Sequence, residues 1–263
     1  MTAKFDRISI TYKLSFETPF HCGTGLREGL IDRTIVRDHD DFLYMPGSTI
    51  KGVVREHCER LARMYSDEND AVMRDLIASP HDGKKALFAL GRHTSMITRI
   101  FGSHYAPGHL FFEDARQEDT DKEQYKKGGG ADGYKDLQTE LYTQVRLDRP
   151  TRTAVAGALY TSEFGTKDVI LHGSITGWLR CTPIAGVEEG PTYSLLLLLA
   201  GLHLVDRIGG NKSAGKGKCR CEVGKVTVNG KDYEKDDWQP WFNHLDKLAD
   251  YTKVGADLEV EEE

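Results

Sequence analysis

Ile8, Ile10, Tyr12, Leu14 and Phe16 alternate strictly with Ser9, Thr11, Lys13 and Ser15. Such period-two patterning of β-branched and aromatic residues specifies a strand buried on one face only. The pattern returns twice. Leu171, Gly173, Ile175, Gly177 and Leu179 oppose His172, Ser174, Thr176, Trp178 and Arg180, and Cys219, Cys221 and Val223 oppose Lys218, Arg220 and Glu222. Three half-buried strands need one common apolar layer on a single side of a sheet.

Two helical patterns supply that layer. Ile50, Val53, Val54, His57, Cys58 and Leu61 form one stripe at helical spacing, after a start signal at Pro46-Gly47-Ser48 with Ser48 or Thr49 as N-cap. Residues 191–207 form a second helix, whose run Leu195–Leu199 is too apolar for a surface. His109–Ala115 reads as a further strand. The order strand, helix, strand, long excursion, strand, helix, strand predicts an α+β fold with a ferredoxin-like (RRM-like) βαββαβ core carrying insertions. We place this domain at 1–230, with a polar insertion at about 66–98 and a charged, protruding or disordered excursion beginning near 116. Residues 231–263 form a C-terminal extension: Trp238, Trp241 and Phe242 can dock a short helix, and the acidic end beyond Val254 reads as mobile.

Net charge is −6, which on its own argues against a nucleic-acid binder, but the charge is uneven. Lys212, Lys216, Lys218 and Arg220 sit in a glycine-rich stretch without an acid, a local basic site in an acidic chain. That stretch lacks the GxxxxGK[ST] pattern of a nucleotide-binding P-loop. Five cysteines without a leader pattern suggest a reducing, cytoplasmic setting, and the longest apolar run is far short of a membrane span. Cys219 and Cys221, two apart in a strand, read as core rather than as zinc ligands.

Between Phe20 and Arg55 a glycine-rich loop (Gly23, Gly25, Gly29) is followed by a short hairpin, 34–37 with 42–44, and then by the first helix. Lys51 and Arg55 share a flank near the positive end of that helix, giving either an anion site or an ordinary solvated flank. Ser48 can add a hydroxyl to the same anion or cap the helix, and His21 beside the loop is a structural histidine or a general acid–base. Asp32 pairs with Arg33 or Arg37 or does chemistry; Asp38 reads as a turn residue. Trp178, on the polar face of its strand, stacks on a base or, by our preferred reading, is buried under an insertion.

Six segments in order, FETPFHCGTG, IDRTIVRD, LYMPGSTIKGVVR, IFGSHYAPGHLFFEDA, LDRPTRTAVAGALYTSEF and IGGNKSAGKGKCR, resemble the RAMP superfamily, and within it the repeating backbone subunit of type III (Csm/Cmr-type) CRISPR effector complexes. The resemblance implies a subunit that polymerises head to tail along a guide RNA, whose partners are the guide, a complementary target RNA, copies of itself or related RAMP subunits, and the large and small subunits of the complex. It implies that 116–158 is a thumb-like hairpin inserted at the guide–target duplex, with Arg146, Leu147, Arg149, Pro150, Thr151 and Arg152 near its returning arm. It implies target-RNA cleavage through Asp32, with Mg²⁺ or another divalent cation held there and the ribose 2′-hydroxyl attacking its own phosphate. It further implies RNA contacts from His21, Gly23, Gly25, Arg33, Ser48, Lys51, Arg55, Arg146, Arg149, Thr151, Arg152, Asn211, Lys212, Lys216 and Lys218, with His21, Lys51 and Arg55 on the guide. The alternatives are a non-catalytic scaffold of the same complex, or a stand-alone endoribonuclease that processes CRISPR transcripts.

Overall fold

A computed structural model describes residues 5–65, 95–103, 107–184, 186–187 and 190–251, without the side chains of 131 and 132. The insertion expected at about 66–98 falls largely outside these residues, as does the acidic tail.

The first alternating segment is strand β1 (Phe5–Phe16), and its even-numbered residues are all buried. It pairs antiparallel on one side with β7 (Ile170–Arg180), placing Ile10 opposite Ile175 and Leu14 opposite Leu171. On the other side it pairs with β8 (Cys219–Val228), placing Leu14 opposite Cys221 and Phe16 opposite Cys219. One apolar face is thus set by register across three strands, because cross-strand partners point to the same side. The predicted strand at 109–115 is split in two, β3 (Leu110–Phe112) and β4 (Ala115–Arg116), and both pieces pair with β7. The sheet order β3–β7–β1–β8 is that of the ferredoxin-like core, extended by β2 (Tyr44–Met45) beside β4 and by β9 (Lys231–Tyr233) beside β8.

Helix α1 (Gly47–Met64) covers the apolar face with Ile50, Val53, Val54, Cys58, Leu61 and Ala62, while His57 is only half-buried at the edge of the stripe. Neither Ser48 nor Thr49 caps it. Pro46 takes the N-cap position, its fixed φ being suited to a helix start, and the Gly47 amide is satisfied by Asp114 Oδ1 at 3.0 Å. Short α2 (Met96–Phe101) and α4 (Tyr193–His203) complete the layer, α4 being buried from Tyr193 to Leu202. Glycine lets α1 and α4 approach closely: a Cβ at Gly201 would stand 2.3 Å from Cys58 Sγ. Residues 231–251 do not stand apart. Trp238, Trp241 and Leu248, from short α5 (Lys235–Trp238) and the 3₁₀ stretch Gln239–Asp250, and Tyr251 just after it, join the same core.

The excursion departs from expectation at its start. Residues Asp119–Leu137 form helix α3, broken at Gly130, where φ is 70° and ψ −163°. The helix is held from outside. Tyr134 stacks on buried Phe42 and donates to the Asp40 carbonyl, and the Lys122 and Lys126 ammonium groups lie over the Phe42 ring. Tertiary contacts override the weak local propensity of a Gly-Gly-Gly run. Beyond it, β5 (Thr139–Leu147) and β6 (Ala154–Gly165) pair in a separate two-stranded sheet, so the hairpin continues seven residues past the predicted end at 158. The small hairpin expected at 34–37 and 42–44 reduces to a single Arg37–Leu43 bridge. Asp38 organises that turn, accepting from the Asp40 and Phe42 amides.

Candidate nucleic-acid interface

β6 emerges from the core at Phe20 and Gly165, whose amides and carbonyls bond each other across the chain. Phe20 is fully buried and stacks on Phe16 at 3.8 Å, which fixes the base of the hairpin to the end of β1. From this root the glycine-rich loop runs outward and returns against β6. The Asp32 amide donates to the Thr161 carbonyl (2.9 Å), the Thr161 amide donates to Asp32 Oδ2 (2.9 Å), and Arg33 forms a parallel bridge with Ser162. The Arg33 guanidinium lies 5.4 Å from the centre of the Tyr160 ring.

Glu163 is the residue that sequence reasoning missed. Its Oε1 pairs with Arg37 Nη2 at 2.6 Å, its Oε2 accepts from the Ile35 amide, and its backbone carbonyl accepts from His21 Nδ1 at 2.7 Å. It is 7% exposed, so a carboxylate at the hairpin base is saturated by the segment that carries Asp32. The available signal was a glutamate in the half of a strand that also holds Phe164, within the quoted motif TSEF.

The second glycine loop folds under the first. The Gly210 amide donates to the His21 carbonyl at 2.7 Å, and the Gly217 amide donates to Pro19 O at 2.8 Å. Lys216 stretches across to the hairpin, its ammonium 3.6 Å from the Tyr142 ring centre and 5.2 Å from that of Phe164. Asn211 holds a left-handed turn at φ 58°, while Lys212 lies 4.0 Å from Glu56 and Lys218 2.6 Å from Glu17. The fold thus gathers His21, Gly23, Arg33, Asp32, Asn211 and Lys216 around the hairpin root.

Other candidates stand further away. Exposed Ser48 and half-buried Lys51 lie on α1, with the Lys51 ammonium 6.0 Å from the Phe112 ring centre. Arg55 is folded onto Glu59 at 2.9 Å and is 19% exposed, so its charge is largely answered within the helix. Thr49 gives the helix its contact with the loop, 3.6 Å from Cys22 Sγ. Gly25 is exposed on the loop at φ 78°. Arg146, Arg149 and Arg152 are exposed toward the tip, and Thr151 closes the tip turn through Asp148 Oδ2. The tip lies about 23 Å beyond Thr161 along β6.

Asp32 has one oxygen committed to Thr161 and the other 3.6 Å from the exposed Arg27 side chain. Among the described residues no group of three or more His, Cys, Asp or Glu side chains is arranged to hold a metal ion. A lone carboxylate with one spare oxygen does not build a Mg²⁺ site by itself, since such sites draw on one or two carboxylates together with substrate phosphates and water.

The family model of the RAMP superfamily matches residues 13–220. The chain belongs to the RAMP superfamily. Every candidate residue from His21 to Lys218 lies within the RAMP-matched span, whereas the docked segment 231–251 lies beyond it. No curated protein matches. Among solved structures, the chain is similar to a subunit in a "Cryo-EM structure of the Type III-B Cmr-beta bound to cognate target RNA", with 12% identity, coverage of 82% of this chain and 96% of the other, and a TM-score of 0.49. No helix among the described residues is long and apolar enough to cross a membrane.

Proposed function

We propose that this RAMP protein is the guide-RNA-binding backbone subunit of a type III CRISPR ribonucleoprotein and that it cuts the paired target RNA at Asp32. The observation that carries the reading is the pair of hydrogen bonds between Asp32 and Thr161, which seats a carboxylate at the root of an exposed, arginine-bearing hairpin. The second glycine loop, tied to His21 and Pro19 through its Gly210 and Gly217 amides, carries Lys216 beside it, and a cation there is the means by which a protein holds a phosphate chain without reading bases. Leu141, Leu147 and Leu159 are each about 60% exposed or more on the hairpin, as suits an arm that lies against nucleobases rather than water.

In the proposed reaction the hairpin bends the target strand so that one ribose faces Asp32. Asp32 accepts a hydrogen bond from the 2′-hydroxyl, orients it in line with its own phosphorus and takes the proton as the O2′–P bond forms. The P–O5′ bond breaks, the departing oxygen takes a proton from solvent, and the products carry a 2′,3′-cyclic phosphate and a 5′-hydroxyl. The Thr161 amide holds the carboxylate still while this happens. Magnesium dependence is expected from the family resemblance and is measured separately, by titrating the divalent ion.

A second reading, scaffold without chemistry, is favoured by the same carboxylate being engaged by Thr161 and close to Arg27. The deciding experiment is target cleavage by the reconstituted complex with Asp32→Ala, checking guide and target binding in parallel. Evenly spaced cuts that vanish while binding persists uphold catalysis at Asp32. Cuts that remain leave the subunit a scaffold at that position.

A further inference from the structure

The helices cover one face of the sheet, and the opposite face presents an aromatic group that the proposed interface does not use. Phe5, Phe111 and Trp178 are 43%, 63% and 49% exposed there, and Trp178 is not buried under an insertion as its sequence position suggested. Register places them together. Trp178 stands directly opposite Arg7 on β1, and its amide donates to the His109 carbonyl on the other side. Phe111 pairs with Thr176, the next residue on the same face of β7, and the Phe5 and His109 rings meet edge-on at 6.1 Å. Arg7 is exposed and forms no ion pair among the described residues.

From this arrangement we infer that the Phe5–Phe111–Trp178 end of the open sheet face binds single-stranded RNA by base stacking, with Arg7 on the backbone. The inference rests on the protein being an RNA-binding subunit, and it adds a second, separate track. On the same face Thr176 adjoins Phe111 and Trp178, with Ser9 next to it on β1; both hydroxyls can meet base edges, and Arg7 meets a phosphate. The far half of the face carries Glu113, Asp114, Glu118 and Glu222 against Lys13 and His172, with Lys13 held by Glu222 and His172 by Glu118, so its cations are already answered and the aromatic end is the better place for a phosphate chain. Arg7 and Phe16 are nine residues apart on β1, so this end lies about 30 Å from the hairpin root, and it faces away from α1. RNA held at the root leaves it open for an unpaired flank.

Trp178 reports on stacking, because Trp238 and Trp241, at 2% and 8% exposure, are out of a base's reach and contribute a constant emission. The test uses the full chain with ten-nucleotide oligouridylate and oligoadenylate. Either oligomer is expected to quench the tryptophan emission, and Phe111→Ala or Trp178→Ala to weaken binding roughly 5- to 100-fold, as loss of a stacked base does. Trp178→Phe keeps a ring and should retain most of the affinity, a control that also covers misfolding of the alanine variant. Lys235→Ala, an exposed cation on α5 outside both surfaces, should leave the quenching in place. Oligomers that bind the wild type without moving its emission, or that bind Phe111→Ala and Trp178→Ala as tightly as the wild type, overturn the stacking face while leaving the proposed function standing. Failure of guide RNA to bind the assembled complex overturns that function as well. Emission that shifts with protein concentration alone assigns the face to protein contacts and overturns the inference.

Discussion

Asp32 and Thr161 are joined twice, amide to carbonyl and amide to carboxylate, each at 2.9 Å. The side chain of greatest chemical interest is therefore also a structural tie between the glycine loop and the hairpin. Alanine at 32 removes the charge and the side-chain half of the tie and leaves the backbone bond, whereas asparagine keeps an acceptor for the Thr161 amide and loses only the charge. Asp32→Asn is expected to keep guide and target binding within about threefold of wild type while cleavage falls at least roughly 100-fold, the scale of losing a general base. Gel analysis of labelled target decides it; cuts at the wild-type rate in Asp32→Asn would show that the carboxylate charge is not needed.

The Glu163–Arg37 pair is the buried electrostatic contact of the interface, with side chains 9% and 20% exposed. Glu163→Ala leaves the Ile35 amide without its acceptor and takes the anion from Arg37, which keeps only the Asp41 carbonyl and the Thr139 hydroxyl. The expected loss is about 3 kcal/mol, because a largely buried charge loses its counter-charge. Glu163→Gln still accepts from the Ile35 amide and should cost about half as much. Chemical denaturation of the three proteins measures both.

Two glycines predict opposite outcomes. Gly209 has φ 92°, and a Cβ there would stand 2.4 Å from the His21 carbonyl, so Gly209→Ala should destabilise by about 2 kcal/mol and displace the second glycine loop. Gly52 is exposed inside α1 with open space around it, so Gly52→Ala should stabilise by about 0.5–1 kcal/mol. Thermal melts of the pair check the assignment of each backbone conformation.

Phosphate contacts carry a salt signature. Replacing Lys216 or Lys51 by alanine should weaken guide binding equally for unrelated guide sequences, and each lost phosphate contact should reduce the slope of log affinity against log salt by about 0.7. Arg55→Ala should change the slope less, since its guanidinium is already held by Glu59. A variant that alters preference between guide sequences instead would mark a base contact.

Burial pushes the Cys219 and Cys221 thiols up to about 12, with nearby Asp206 adding to the effect at Cys219. Cys58 is raised further in the same direction by burial. At pH 8 almost no thiolate exists at these three positions in the folded chain, whereas the unfolded chain ionises appreciably there. Alkylation at pH 8 should therefore modify them only as fast as the protein opens, and mass spectrometry of digests reads the order. Fast labelling of Cys221 in the native protein would contradict its buried place beside Leu14 on the helix-covered face of the sheet.

Much of the fold was legible because its signals are local. Ile8 to Phe16 and Leu171 to Leu179 declare their faces by alternation, and Ile50 to Leu61 declares a stripe, so the strand and helix order follows. Helix α3 was not legible: its charged, glycine-bearing sequence has little preference of its own, and Phe42, nearly eighty residues before it in the chain, supplies the surface on which it folds. The N-cap was misread for a related reason, since Asp114 rather than Ser48 satisfies the first amide of α1.

The sequence by itself determined the periodicities, the glycine loops and the supply of arginines, because each depends on residues near one another along the chain. Tertiary structure alone decided that Glu163 would bind Arg37 and that Asp32 would face Thr161. It likewise decided that Trp178 would stay open to solvent beside Arg7. Those relationships join residues more than a hundred positions apart, and only the register of strands and the closure of loops brings such groups within hydrogen-bonding or packing distance.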